Sequence, residues 1–292
     1  DTFNMPAYPQ STSPAITVVS SSSAKIQLLL PGETVNPGKY HTSPYGKDGV
    51  PDFEPAGGIQ PATAGKSFTI TVSCVDNYYN QVNTNPNIRI TSSDPYAPMP
   101  AVKPLVNGTT TFAVTLVTKQ TSTITASDTA ATYGQDISPS FSVTYSSAVK
   151  LQVLVPTESA VEGKYNISPF GKTGAPTQRT AGSLFKVTVN VVDEYWNKID
   201  SGGDRLLYVE SSDQYSVKEA THTSASGTTT FDITLLNAST TTLTDAVNVV
   251  FSADGRFAAC ERRSSYSPLD TNATTDVYLI DRSNGQASLV SV

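Results

Sequence analysis

Phe68-Thr69-Ile70-Thr71-Val72-Ser73-Cys74 alternates apolar and polar residues one for one, and Phe185-Lys186-Val187-Thr188-Val189-Asn190-Val191 does so again. Successive side chains of a strand point to opposite faces, so such a run is a strand with one face buried. Phe112-Ala113-Val114-Thr115-Leu116, Phe231-Asp232-Ile233-Thr234-Leu235 and Ser122-Thr123-Ile124-Thr125-Ala126 carry the same period, and no window carries a helical one.

Outward from these runs the chain repeats itself. Ser13-Pro14, Val18, Lys25, Gln27, Gly38-Lys39-Tyr40 and Ser43-Pro44-Tyr45-Gly46-Lys47 recur as Ser138-Pro139, Val143, Lys150, Gln152, Gly163-Lys164-Tyr165 and Ser168-Pro169-Phe170-Gly171-Lys172. Ala64-Gly65, Val75-Asp76 and Asn80 recur as Ala181-Gly182, Val192-Asp193 and Asn197. Ser92-Ser93-Asp94 and Gly108-Thr109-Thr110-Thr111-Phe112 recur as Ser211-Ser212-Asp213 and Gly227-Thr228-Thr229-Thr230-Phe231. The offset changes only between blocks, so length differences fall in loops. Short alternating strands in copies of about 120 residues predict an all-β chain of two tandem antiparallel β-sandwiches. The expected divisions are 1–23, an extension with an orphan strand at 13–20; 24–146 and 147–248, the two repeats; and 249–292, a different β segment.

The pattern of Ala-Gly before Phe-x-Val-x-Val, then Val-Asp-x-x-x-Asn, Ser-Ser-Asp and Gly-Thr-Thr-Thr-Phe resembles the bacterial immunoglobulin-like repeats of invasin- and intimin-type surface proteins, over about residues 13–245. That family often has Gly before the Asn, where this chain has Tyr79 and Trp196. Pro/Gly-rich segments at 31–63 and 156–180 are a second departure. From Val249 the repeat stops. Val249 to Ala259 reads as a hairpin with Asp254-Gly255 at its turn, Asp276 to Arg282 as a strand, Ser283-Asn284-Gly285 as a turn and Ala287 to Val292 as a last strand. This tail is similar to one blade of a TolB-like β-propeller, and one blade cannot close a propeller.

Composition narrows the function. A net charge of −6 without a basic run argues against nucleic acid and anionic lipid. The longest apolar stretches, such as Leu28-Leu29-Leu30, fall well short of the roughly 20 residues of a membrane span. The start at Asp1 reads as a processed, exported form. Two cysteines, Cys74 and Cys260, lie in different units, so core packing is expected to hold the fold.

No catalytic residues are identified. The two histidines, His41 and His222, fall in loop-like surroundings, and no nucleophile elbow, phosphate loop or metal-binding His pair occurs. No cofactor is expected, with calcium as the one candidate. Asp76, Asn77 and Asn80, and Asp193, Glu194 and Asn197, place oxygen ligands at close spacing; the same residues serve equally as turn formers. Asp270, Asn272 and Asp276 make a looser group. Tyr79 and Trp196, with Tyr40, Tyr45, Tyr78, Tyr165, Phe170 and Tyr195, would stack on sugars if exposed, or plug the sandwich ends if not. Sequons at Asn107, Asn166, Asn237 and Asn272 would permit glycans.

Residues 13–20 match residues 138–145, the last strand of the first repeat. The chain thus opens on a closing strand with no sandwich before it, while the second repeat runs into the tail where its own closing strand should be. Two arrangements follow. Residues 13–20, with Ile16 and Val18 inward, fill the second sandwich of a neighbouring copy, each such side chain contributing about 1.5–3 kcal/mol; or Val247-Asn248-Val249-Val250-Phe251 completes it in cis, and residues 13–20 are merely the end of a repeat lost by processing. The first yields head-to-tail self-association. The expected function is structural or adhesive, at an extracellular bacterial surface; the alternative is a carbohydrate-binding or spacer region of a larger secreted enzyme.

Overall fold

A computed structural model describes residues 11–54, 58–202, 204–219, 221–251, 257–262, 276–281 and 286–290. Among them every regular element is a strand, and the architecture is two immunoglobulin-like antiparallel sandwiches in series. In the first, Lys25–Leu29, Ser67–Val75 and Thr109–Thr115 form one sheet, with Leu28 opposite Val72 and Ile70 opposite Phe112. The other sheet runs Asp136–Ile137, Ile124–Asp128, Asn87–Ser92, Lys103–Pro104. Alternation does what it predicts: Ile70, Val72 and Cys74 turn inward to meet Ile88, Ile90 and Phe112 in one buried cluster.

Phe141–Thr144 closes this sandwich. It runs parallel to Ala62–Thr63, with Val143 opposite Ala62, and antiparallel to Thr121–Ser122, with Phe141 opposite Ser122. The Phe141 ring packs on Phe53 and Phe68, at centroid distances of 4.6 and 6.2 Å.

The second sandwich repeats the first sheet with Lys150–Leu154, Leu184–Val192 and Thr228–Thr234, to which Val217–Lys218 adds an edge. Its other sheet has six strands in the order His222–Thr223, Leu206–Ser211, Leu243–Phe251, Phe257–Arg262, Asp276–Asp281, Gln286–Leu289. The tail strands therefore extend this sheet as a meander. Leu243–Phe251 pairs with Leu206–Ser211 as Ile124–Asp128 pairs with Asn87–Ser92. Val247 sits opposite Leu207, and Val250 and Phe251 sit opposite Ala259 and Ala258, so these residues do not occupy the closing position in cis. The expected turns at Asp254-Gly255 and Asn284-Gly285 lie outside the described residues, as do Asp270 and Asn272.

The Pro/Gly-rich segments fold as hairpins against the outer face of each first strand. Glu33–Val35 pairs with Lys47–Gly49, and Ser159–Ala160 with Lys172–Thr173. Gln27 Nε2 donates to the Gly46 carbonyl at 2.9 Å and Gln152 Nε2 to that of Gly171 at 2.7 Å. Lys47 Nζ reaches the Leu28 carbonyl at 3.0 Å and Glu33 at 3.4 Å, which satisfies a buried ammonium.

Candidate functional site

The Asp-x-x-x-Asn turn forms at the end of each long strand. Asp193 is fully buried; its carboxylate accepts from the N–H groups of Ser146 (3.0 Å), Tyr195 (2.9 Å) and Asn197 (2.9 Å), and from Asn197 Nδ2 (2.9 Å). Asp76 does the same with Ser21 N–H (2.9 Å), Tyr78 N–H (2.8 Å), Asn80 N–H (2.9 Å) and Asn80 Nδ2 (3.0 Å). These donors occupy the oxygens that a calcium ion would need. Among the described residues no group of three or more His, Cys, Asp or Glu side chains is gathered to hold a metal.

The same donors tune acidity. Burial raises the Asp76 pKa, but the bonds from Asn80, Ser21 and Tyr78 outweigh it and hold the carboxyl at about 2 against an ordinary 3.8. A depressed acid adds stability above its unfolded pKa and loses it as pH falls towards the folded one. Unfolding free energy should thus lose about 2 kcal/mol through Asp76 between roughly pH 5 and pH 2. Chemical unfolding of the parent and of Asp76→Asn across that range checks this: the variant's curve should be the flatter.

Tyr79 and Trp196 stand just before the Asn with φ of 66° and 69°, in the left-handed region. Each ring lies flat where a Cβ would project from Gly46 or Gly171, at 2.1 and 2.4 Å from the nearest ring atom, so only glycine fits beneath. Lys25 Nζ covers Tyr79 at 3.5 Å from the ring centroid and Lys150 Nζ covers Trp196 at 4.0 Å. Both rings are half-buried. His41 lies against Tyr40, and His222 stacks on Phe231 with Nδ1 2.9 Å from the Thr230 carbonyl. The two histidines belong to different sandwiches.

A signal the motifs did not carry is the open side of the second sandwich. Leu28, Leu30, Ala64, Leu116 and Ile124 are buried beneath the closing strand side of the first. Their counterparts Val153, Val155, Ala181, Leu235 and Leu243 are half-exposed or exposed. All five line one groove of about 1000 Å³, together with residues 179–180 and 240–242. Residues 62–63 and 121–122, the equivalents in the first sandwich, are the two flanks on which Phe141–Thr144 pairs. Thr241 Oγ1 is buried at the groove without a hydrogen-bond partner. Among the described residues no strand pairs with either flank.

Among the described residues no strand pairs with the orphan segment. Ile16 and Val18 are 81% and 87% exposed, and residues 11–20 take part in no sheet. The alignment with the closing strand runs without a break into the joint, since Ser21 N–H reaches Asp76 as Ser146 N–H reaches Asp193. In that alignment Ile16 and Val18 correspond to Phe141 and Val143, which are buried in the first core.

Among the described residues no helix is long and apolar enough to cross a membrane. No family model matches the sequence, and no curated protein matches it. Several solved structures resemble the chain, three of them as follows. The D0-D1 domain of intimin is 12% identical, with a TM-score of 0.24 over 65% of this chain and 89% of that one. A glycosyl hydrolase family 2 member from Bacteroides cellulosilyticus is 10% identical, with a TM-score of 0.26 over 77% of this chain and 28% of that one. Invasin, a bacterial integrin-binding protein, is 11% identical, with a TM-score of 0.29 over 92% of this chain and 60% of that one. At such values the immunoglobulin-like fold rests on the sheets and cores of the chain itself.

Proposed function

We propose that the chain is a non-enzymatic structural or adhesive repeat subunit of a bacterial extracellular surface, joined head-to-tail by donating residues 13–20 to the second sandwich of a neighbouring copy. One observation carries it: among the described residues the second sandwich leaves open the groove in which the first holds Phe141–Thr144, and residues 13–20, which match that strand in sequence, stand exposed. Inserted there, Ile16 and Val18 leave water for an apolar slot, and the backbone supplies the register. By analogy with Val143 N–H on Gln120 and Ala64 N–H on Thr144, both at 2.8 Å, Val18 N–H meets the Ser239 carbonyl and Ala181 N–H the Val19 carbonyl.

No resident cofactor enters this reading and no reaction is assigned. A carbohydrate platform would use Tyr79 and Trp196, whose rings are already covered by lysines. Deleting residues 1–20 tests the proposal. The parent should form species that lengthen with protein concentration in sedimentation velocity and electron micrographs, and the truncated chain should stay monomeric with an unchanged circular dichroism spectrum. Equal assembly of the two chains would refute the reading.

A further inference from the structure

The joint between the two sandwiches is made by side chains whose counterparts, among the described residues, meet no other sandwich. Asn197 is fully buried across it: Oδ1 accepts from Lys119 N–H at 2.9 Å and Nδ2 donates to the Val117 carbonyl at 2.8 Å. Tyr195 lies on the first core and over Gly65, where a Cβ would come within 2.2 Å of its ring. Gly163 abuts Thr118, whose Oγ1 would be 1.8 Å from an added Cβ. A plug of Asn197, Tyr195 and Gly163 thus enters a socket of residues 117–119 and Gly65.

The first sandwich carries the same plug unused. The Asn80 amide donates only to Asp76 among the described residues, Tyr78 is 48% exposed, and an added Cβ on Gly38 meets nothing within 4 Å. The second sandwich carries the same socket unused. Asp213 Oδ2 holds the N–H groups of Leu236 and Asn237 at 2.7 and 2.9 Å, as Asp94 Oδ2 holds those of Val117 and Thr118 at 2.8 and 2.9 Å, so the loop has the same shape. Leu236 is 45% exposed, and an added Cβ on Gly182 meets nothing within 4 Å.

Charge decides what the free halves fit. In the internal joint Lys119 Nζ pairs with Glu162 at 3.0 Å and Asp200 at 2.9 Å. The counterpart of Lys119 on the free socket is Ala238, and the counterparts of Glu162 and Asp200 on the free plug are Pro37 and Asn83. All three charges are missing together. The free plug therefore matches the free socket, and on the internal socket it would leave Lys119 without its partners.

We propose that the turn Asp76 to Asn80 of one chain seats on residues 236–238 of a second copy, with Asn80 Oδ1 accepting from Ala238 N–H, Asn80 Nδ2 donating to the Leu236 carbonyl, and Tyr78 covering Gly182. This rests on the donor-strand reading, because Ser21 ties the end of the donated strand to Asp76 and so delivers the plug to the socket beside the groove. The new contact repeats the internal joint, so successive sandwiches along the assembly share one spacing and one rotation.

The test uses the full chain and separates the two ideas. In Gly38→Ala the added methyl meets nothing in the isolated chain, yet collides with Asn237 in the docked one. Gly38 holds a φ of 82°, so alanine there strains the backbone and lowers the thermal midpoint of the isolated chain; measured by sedimentation well below that midpoint, head-to-tail association should weaken by about tenfold or more. Asn80→Ala should weaken association by a similar factor through two lost hydrogen bonds. Ile16→Asp with Val18→Asp should abolish it. If both joint variants associate like the parent while the strand variant does not, the joint is wrong and the donated strand stands. If the parent itself stays monomeric at every concentration, both fall together.

Discussion

Phe231→Ala should lower the stability of the second sandwich by about 3–5 kcal/mol, the cost of removing a large buried ring and leaving a cavity. Phe231 is 1% exposed and packs among Val187, Val189 and Ile233, whose inward alternation leaves no neighbour free to collapse into the space. Phe112→Ala should cost the first sandwich a similar amount, since Phe112 holds the equivalent place and is also 1% exposed. The two buried clusters share no residue. Denaturant unfolding followed by circular dichroism should then show two transitions, with Phe231→Ala moving only the earlier. The second sandwich is expected to unfold first, because its open groove leaves Val153, Val155, Leu235 and Leu243 partly in water. A single transition shifted alike by both substitutions would show that the sandwiches unfold as one unit.

Asp193→Ala should cost about 3–5 kcal/mol, because it strips the acceptor from several N–H donors that the fold keeps from water. Ser146, Tyr195 and Asn197 would each lose a backbone partner, and the Asn197 amide would lose the bond that aims it at Val117 and Lys119. Asp193→Asn keeps one acceptor oxygen and the shape, so its cost should be about half as large. Asp76→Ala should cost less than Asp193→Ala in the isolated chain, since Asn80 is only half-buried and spans no internal joint. Equilibrium unfolding of the three variants gives the order, and equal losses for Asp76→Ala and Asp193→Ala would contradict the account of the joint.

Much of the architecture was legible in the residues. The alternation from Phe68 to Cys74 and from Phe185 to Val191 shows directly which side chains meet the core, because the strand period is two whatever the strand pairs with. The match of 13–20 with 138–145 likewise needs no coordinates. The tail was legible as strands, yet not as strands of the second sandwich's own sheet, since an edge can accept either its own continuation or a separate layer. Val247 to Phe251 has the apolar pattern of a closing strand; pairing with Leu206–Ser211 and Phe257–Arg262 takes it elsewhere.

Asn80 and Asn197 stand in the same motif and read identically along the chain, and only packing tells them apart: one amide ends in a half-buried turn, the other bridges two sandwiches. Tyr79 and Trp196 read as sugar platforms or as plugs, and the glycines beneath and lysines above place them against the body of each sandwich. What the sequence determined alone was local and periodic: strands, their inward faces, and a twofold repeat with a second match to one closing strand at residues 13–20. What the tertiary structure decided was which of these faces lacks a cover and which turn finds a partner, because burial belongs to pairs of distant segments and no single segment encodes it.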